Sequence, residues 1–343
     1  MNSPLERQSN FVEIVLPDCR KSCHLRAIFK SFDAAERDAV MKASVLPKRY
    51  AIATAVALLA ATPFAVTARA LDLVIPTHDG PRTAIVLPAG QGPHPTVIVL
   101  HGAAATAEII VRESGFAEAA AAAGFTAVFP QGFYRRWHDL RSGGFDGPDD
   151  VAFLRALTTR LIEEKIALPT RIYIAGISNG GAMSFTMVCK AANLFRGIGT
   201  VVANMPVGIE PCNPPPMPLV MVNGTADPLM PYDGGKVGWI SGGGAFWSVK
   251  QTVDLFTHRN GCTASTERPL SGGDHHEGPH VVEITWQDCS SGHPVILYRV
   301  VGGGHQIPGM PTFLSFWLGR TTSDISAASV IISAFARDTG EAK

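Results

Sequence analysis

From residue 71 onward, short apolar runs alternate with longer stretches in which apolar residues recur every three or four positions. Residues 96–100, TVIVL, are apolar throughout, which is how a strand covered on both faces reads. Similar runs at 126–129, 171–175, 199–203, 219–222 and 295–300 predict further strands, and 71–75 with 82–87 predict a β-hairpin that opens the sheet. Helical spacing predicts helices over 106–123, 149–165, 179–192, 245–259 and 323–337. In the second of these, two acids lead, where the helix dipole favours them, and Val151, Leu154, Leu157 and Leu161 share one face. Alternation of this kind, with no internal repeat and no long polar linker, predicts a single α/β domain with a mostly parallel central sheet flanked by helices.

Residues 262–294 interrupt the alternation. They hold SGGDHHEGPH between two strand-like runs, with Cys262 and Cys289 outside the loop. The pattern reads as a hairpin excursion near the end of the sheet, stapled by a disulfide. His275, His276 and His280 have no cysteine or carboxylate at metal-ligand spacing, so they read as a solvated turn, and no metal site is expected.

Upstream lies AIATAVALLAATPFAV, residues 51–66, preceded by Lys42, Lys48 and Arg49 and followed by Ala68-Arg69-Ala70. Basic, apolar and small-x-small segments in this order make a secretory signal peptide. The apolar run is shorter than the ~20 residues a membrane span needs, so no stable span is expected after processing. A signal peptide starts a chain, and Met41 precedes this one. We therefore expect translation to begin at Met41, with residues 1–40 an upstream artefact or extension, 41–70 the signal peptide and 71–343 the folded domain.

Composition agrees with an exported globular protein. The 343 residues are 46% apolar and 17% charged with formal net charge zero, enough to fill a core and without the cationic excess that binds nucleic acid. Without residues 1–70, 19 Lys and Arg face 23 Asp and Glu, a net charge of −4, which gives no attraction to nucleic acid or anionic lipid. Cys19 and Cys23 lie in the removed segment. Cys189, Cys212, Cys262 and Cys289 remain, and an even number in an exported chain predicts two disulfides, with three pairings open. The expected location is the periplasm or the medium.

The candidate chemistry begins at Gly176-Ile177-Ser178-Asn179-Gly180, the one G-x-S-x-G of the chain. RIYIA leads in as a strand and NGGAMSFTMVCK leads out as a helix, the strand–turn–helix that a nucleophile elbow requires. A serine hydroxyl needs a base, and the partners are expected in the order serine, acid, histidine. Asp227 follows the strand LVMV and His305 follows the last strand on a glycine-rich loop. Ser178 is thus the candidate nucleophile, His305 the general base and then acid, and Asp227 the residue that orients the imidazole. Asp233, deeper in the same loop, is the second choice of acid. The N–H after the nucleophile, at Asn179, and that of Ala103 in the loop after TVIVL are the candidate oxyanion donors. His101 sits at a strand end and is read as structural. Phe133, Tyr134 and Trp137, after FPQG, are candidate substrate contacts; Trp247 is read as packing, and Arg135 and Arg136 as solvated. This chemistry needs no cofactor.

The motifs LHGAAATA, FPQGF, DDVAFLRAL, RIYIAGISNGGAMS, NGTADPLMPY, RNGC and GGGHQIPG together resemble the polyhydroxybutyrate depolymerase-type esterase family, which includes feruloyl and acetylxylan esterases. The resemblance covers most of residues 71–337. It implies an α/β-hydrolase fold, the triad Ser178, Asp227 and His305, hydrolysis of carboxylic esters, and disulfides Cys189–Cys212 and Cys262–Cys289. Two departures bear on substrate preference: Asn223 stands where the family commonly has histidine, and Gln306-Ile307 follows His305 where Thr-Trp is frequent. No polymer-binding module follows in the sequence, so soluble esters or oligomers are favoured over insoluble polyester. The competing expectations are a peptidase or acyltransferase using the same three residues, and a non-catalytic binding protein on the same scaffold.

Overall fold

The computed structural model describes residues 14–15, 24–25, 70–238, 243–270, 278–312 and 315–338. The signal segment, Cys19, Cys23, His275 and His276 lie outside the described residues. Ile14–Val15 and His24–Leu25 pair as a short antiparallel ladder in a unit of their own. Everything that follows concerns the unit that starts at Thr67.

Among its described residues that unit holds a ten-stranded sheet: β1 Leu71–Ile75, β2 Arg82–Leu87, β3 His94–Leu100, β4 Thr126–Pro130, β5 Ala167–Ile177, β6 Gly197–Val201, β7 Leu219–Gly224, β8 Cys262–Pro269, β9 His280–Cys289 and β10 Val295–Val301. Their order across the sheet is β8-β9-β10-β7-β6-β5-β3-β4-β2-β1. Neighbours from β10 to β4 are all parallel, and the antiparallel pairs are confined to the two ends. Side chains along a strand alternate between faces, and the two faces carry separate cores. Ile98 and Leu100 of β3 pack on one side with Phe153, Met183 and Phe256. Val97 and Val99 pack on the other with Phe116, Ile331 and Phe335.

Seven helices lie among the described residues, and all but α6 bury side chains against these faces: α1 Ala107–Glu113, α2 Phe116–Ala122, α3 Asp150–Glu163, α4 Asn179–Lys190, α5 Val249–Asn260, α6 Ser315–Leu318 and α7 Ala327–Arg337. The helix expected over 106–123 is two helices. Gly115 takes φ 75° between them, a left-handed conformation that glycine adopts without steric cost, and Ser114 Oγ donates to Ile110 O at 2.5 Å, drawing its hydroxyl back onto the helix it ends. The helix expected from 245 starts at Val249. Ser248 and Gln251 form a reciprocal capping box there, while Ala245–Phe246 instead pair antiparallel with Gly235–Lys236. On α3, Phe153 takes the buried place beside Leu154, Leu157 and Leu161, and Val151 is half-buried.

The excursion at 262–294 is the antiparallel pair β8–β9 at the sheet edge, with Cys262 opposite Cys289 in register. The disulfides are Cys262–Cys289 and Cys189–Cys212. The second ties the end of α4, the helix that leaves the elbow, to the loop before β7. No described helix is long and apolar enough to cross a membrane.

Candidate active site

Ser178 stands between the end of β5 and the start of α4 with φ 55° and ψ −122°. A non-glycine residue with positive φ is strained, and the surroundings hold it there. Ser178 N–H donates to Val201 O at 2.9 Å. A Cβ on Gly176 would overlap the backbone of Gly180 and Gly181, and one on Gly180 would overlap the carbonyls of Leu100 and His101. The elbow glycines are therefore contact surfaces: α4 starts against the end of β3 with no room for a side chain.

His305 and Asp227 arrive from the ends of neighbouring strands, β10 and β7. Their loops are tied together. Ala226 N–H donates to Gly303 O at 2.8 Å, Gly302 N–H to Thr225 Oγ1 at 2.8 Å, and Thr225 N–H to Val300 O at 3.0 Å. His305 Nε2 lies 2.8 Å from Ser178 Oγ, and its Nδ1 lies 2.7 Å from Asp227 Oδ2. With the ring proton on Nδ1 donated to Asp227, Nε2 accepts from the serine hydroxyl. Asp227 Oδ1 accepts from the N–H groups of Leu229 and Met230, both at 2.8 Å. Its side chain is 1% exposed, so the carboxylate is fixed by three hydrogen bonds away from water. Asp233, the second choice of acid, is exposed on the surface.

Beside the serine, a Cβ on Gly102 would stand 3.5 Å from Ser178 Cβ. The loop carrying Ala103 thus lies against Ser178. Asn179 is buried, and its side chain anchors the floor of the site. Oδ1 accepts from Trp137 N–H at 2.7 Å, and Nδ2 donates to Trp137 O at 3.0 Å and Asp139 Oδ2 at 2.9 Å. Burial pushes the Asp139 carboxyl up, opposed by Arg141.

One expectation needs correction. Trp137 is 0% exposed, stacks on Phe153 and donates its indole N–H to His101 O at 2.9 Å. It is a loop anchor and offers no face to a substrate. Phe133 is half-buried and lies 4.4 Å from the Arg82 guanidinium. Tyr134 alone of the three is exposed, at 83%. Trp247 packs against the core and donates to Glu210 at 3.1 Å. Three polar residues of this region were not singled out from the sequence. They are Asp139, Gln131, which accepts from Ala107 N–H at 2.9 Å and reaches His101, and Arg82, which pairs with Asp150. Gln131 is part of FPQGF and Asp139 lies on the loop that follows it, and nothing in the sequence pointed to Arg82.

His101 is fully buried. Its Nε2 accepts from Gly132 N–H at 2.9 Å, and Nδ1 donates to Gly102 O at 2.8 Å. Burial pushes its pKa down from 6.5 to about 4. Between those values the unfolded chain takes up the proton and the folded one does not. Stability therefore falls as pH drops from 6.5 towards 4, and His101 contributes about 2.5 kcal/mol of that loss at pH 4.5. Urea unfolding at pH 7 and pH 4.5 checks this. His101→Gln should flatten the pH dependence by about that amount, and an unchanged slope refutes it.

A mostly parallel sheet, helices on both faces and a serine at the strand–helix turn define the α/β-hydrolase fold. No family model matches the chain. Among solved structures, it resembles the acetyl xylan esterase from Aspergillus awamori with TM-score 0.50 and 14% identity, over 70% of this chain and 95% of that one. In sequence it is 29% identical over 229 residues to the putative esterase NocK of Nocardia uniformis subsp. tsuyamanensis, covering 61% of this chain and 64% of that protein. It is 28% identical over 162 residues to feruloyl esterase B of Piromyces equi, covering 46% and 29%. It is 26% identical over 152 residues to the probable feruloyl esterase C of Aspergillus niger, covering 43% and 48%. The chain spans less than two thirds of each of these three relatives. They bear esterase names, in keeping with the resemblance read from the motifs, and none of the three is named a polyhydroxybutyrate depolymerase.

Proposed function

We propose that the protein is an exported serine esterase that hydrolyses carboxylic esters through an acyl-enzyme on Ser178. The observation that carries this reading is the unbroken hydrogen-bonded line from Ser178 Oγ through His305 to Asp227. In the reaction, Ser178 Oγ attacks the ester carbonyl as His305 Nε2 takes its proton, and Asp227 stabilises the imidazolium. The developing oxyanion meets the N–H groups of Asn179 and Ala103; Ala104 N–H is engaged by Arg135 O at 2.8 Å and is not the donor. His305 then returns the proton to the leaving alcohol, and water, activated by the same histidine, releases the acid. Two disulfides support export. Feruloyl, acetyl and 3-hydroxybutyrate esters are the substrate candidates, the first supported by the names of the relatives.

Hydrolysis of short p-nitrophenyl esters, methyl ferulate, acetylated xylan and 3-hydroxybutyrate oligomers tests the reading. At least one is expected to turn over, and a fluorophosphonate probe to label Ser178. A protein that neither hydrolyses any of them nor labels is a scaffold without this chemistry.

A further inference from the structure

Asn179 is the first residue of α4, and the N–H groups of a helix's first turn have no partner within the helix. The direction of the Asn179 N–H therefore depends on what holds the residue itself. Trp137 grips its side chain through both backbone groups, N–H to Oδ1 and carbonyl to Nδ2. The second N–H of Nδ2 goes to Asp139 Oδ2 at 2.9 Å. A carboxylate only accepts, so Nδ2 must face Asp139 and Oδ1 must face the Trp137 N–H. Asp139 thus decides which way round the Asn179 amide sits.

Asp139 is itself buried and held. Arg141 Nε lies 3.4 Å from its Oδ1, and Arg141 N–H donates to the same oxygen at 3.3 Å. Leu140 between them takes φ 57°, a left-handed conformation that is uncommon outside glycine, and the chain turns Arg141 back onto the carboxylate. The Asp139 carbonyl accepts from Thr186 Oγ1 at 2.6 Å, about two turns along α4 from Asn179. One residue therefore fastens α4 at its first position and again on the same side further down.

Burying a carboxylate lowers stability in a way that an apolar side chain of the same size would not. Here the charge is directed at the one side chain whose own backbone N–H is the candidate oxyanion donor. We propose that Asp139 is a positioning residue of the reaction: by fixing the Asn179 amide it holds the Asn179 N–H towards the oxyanion that forms at Ser178. This rests on the esterase reading and adds to it a residue that does not touch the substrate. A donor already in place needs no reorientation as charge develops, which is the source of its effect. Without the grip of Asp139 the first turn of α4 relaxes, and a displacement of about 1 Å in such a site lowers rates by on the order of 10²-fold.

The test uses p-nitrophenyl acetate and butylboronic acid. The boron of the second takes Ser178 Oγ, the serine proton passes to His305, and the tetrahedral adduct puts a boronate oxygen where the ester oxyanion forms. Rates are divided by the number of sites a fluorophosphonate labels, so a variant that merely folds less well shows no change per site. Asp139→Ala should lower kcat per site about 30-fold with KM within about threefold, and weaken inhibition by butylboronic acid by a similar factor. Asp139→Asn, which keeps an acceptor for Asn179 Nδ2, should recover most of the loss. Asn179→Ala keeps the backbone N–H and should match Asp139→Ala, and the double variant should be no slower than the slower single one, because the two act through one contact. If Asp139→Ala yields no folded protein, Asn179→Ala, which leaves Asp139 beside Arg141, decides alone. Additive losses, a loss carried by KM, or a kcat per site within about threefold of wild type each overturn the proposal. A wild type that neither hydrolyses the ester nor labels overturns the esterase reading and this proposal with it. An active wild type whose rate per site is indifferent to Asp139 overturns this proposal alone.

Discussion

Ser178→Ala is expected to lower kcat on any ester the protein hydrolyses by on the order of 10⁶, because the nucleophile and its base act as one unit. The mutant keeps the elbow: Gly176, Gly180 and the Ser178 N–H bond to Val201 O are untouched. What disappears is the Oγ, and with it the hydrogen bond to His305 Nε2. The melting temperature should therefore shift by no more than about 4 °C, the worth of one hydrogen bond in a domain of this size. The double variant Ser178→Ala/His305→Ala should be no slower than the single one, since a base without its nucleophile has nothing to deprotonate. Steady-state rates for the three proteins, with labelling by a fluorophosphonate, check the prediction. If Ser178→Ala retains a tenth of the wild-type rate, the chemistry resides elsewhere.

Which features were legible in the sequence depended on how local their causes are. The apolar runs that became β3, β4, β7 and β10 carry their own signal, because strands buried on both faces are nearly continuous in apolar residues. The three members of the hydrogen-bonded line were legible for the same reason. Each stands at or just past the end of a strand, so the sheet carries it to the same edge. The split between α1 and α2 was hidden because the apolar pattern runs on through Ser114-Gly115. The start of α5 was written in Ser248 and Gln251, yet the apolar Ala245 and Phe246 before them read as helix. The role of Trp137 was not legible at all. The groups that bury it, His101 O and the Asn179 side chain, lie 36 and 42 residues away along the chain. A lone tryptophan on a loop reads the same whether its face meets a substrate or a core.

The same distance hid the interaction whose loss should most reduce stability. Arg82 in β2 and Asp150 at the start of α3 are 68 residues apart and form a buried ion pair at 2.7 Å. The guanidinium lies 4.4 Å from the ring of Phe133 and 4.1 Å from that of Phe153, and it donates to Gln131 O at 3.2 Å. Asp150 Oδ2 accepts from His138 N–H at 2.7 Å. Burial pushes the Asp150 carboxyl up, while the His138 N–H and Arg82 pull it down. Arg82→Met removes the guanidinium's share of that compensation and leaves a buried carboxylate with one backbone donor. The expected cost is about 3–5 kcal/mol, a fall in melting temperature of about 10 °C. Activity should fall with it, because the loop from Gln131 to His138 carries Trp137, and Trp137 holds the Asn179 side chain beneath the candidate oxyanion site. Arg82→Met/Asp150→Leu should recover most of the lost stability, since an apolar pair needs no charge compensation. It should not recover all of it, because His138 N–H then has no carboxylate to meet. Thermal unfolding of the wild type, the single and the double variant decides the matter. If the single variant melts within about 2 °C of wild type, the pair is not what fastens this loop to the sheet.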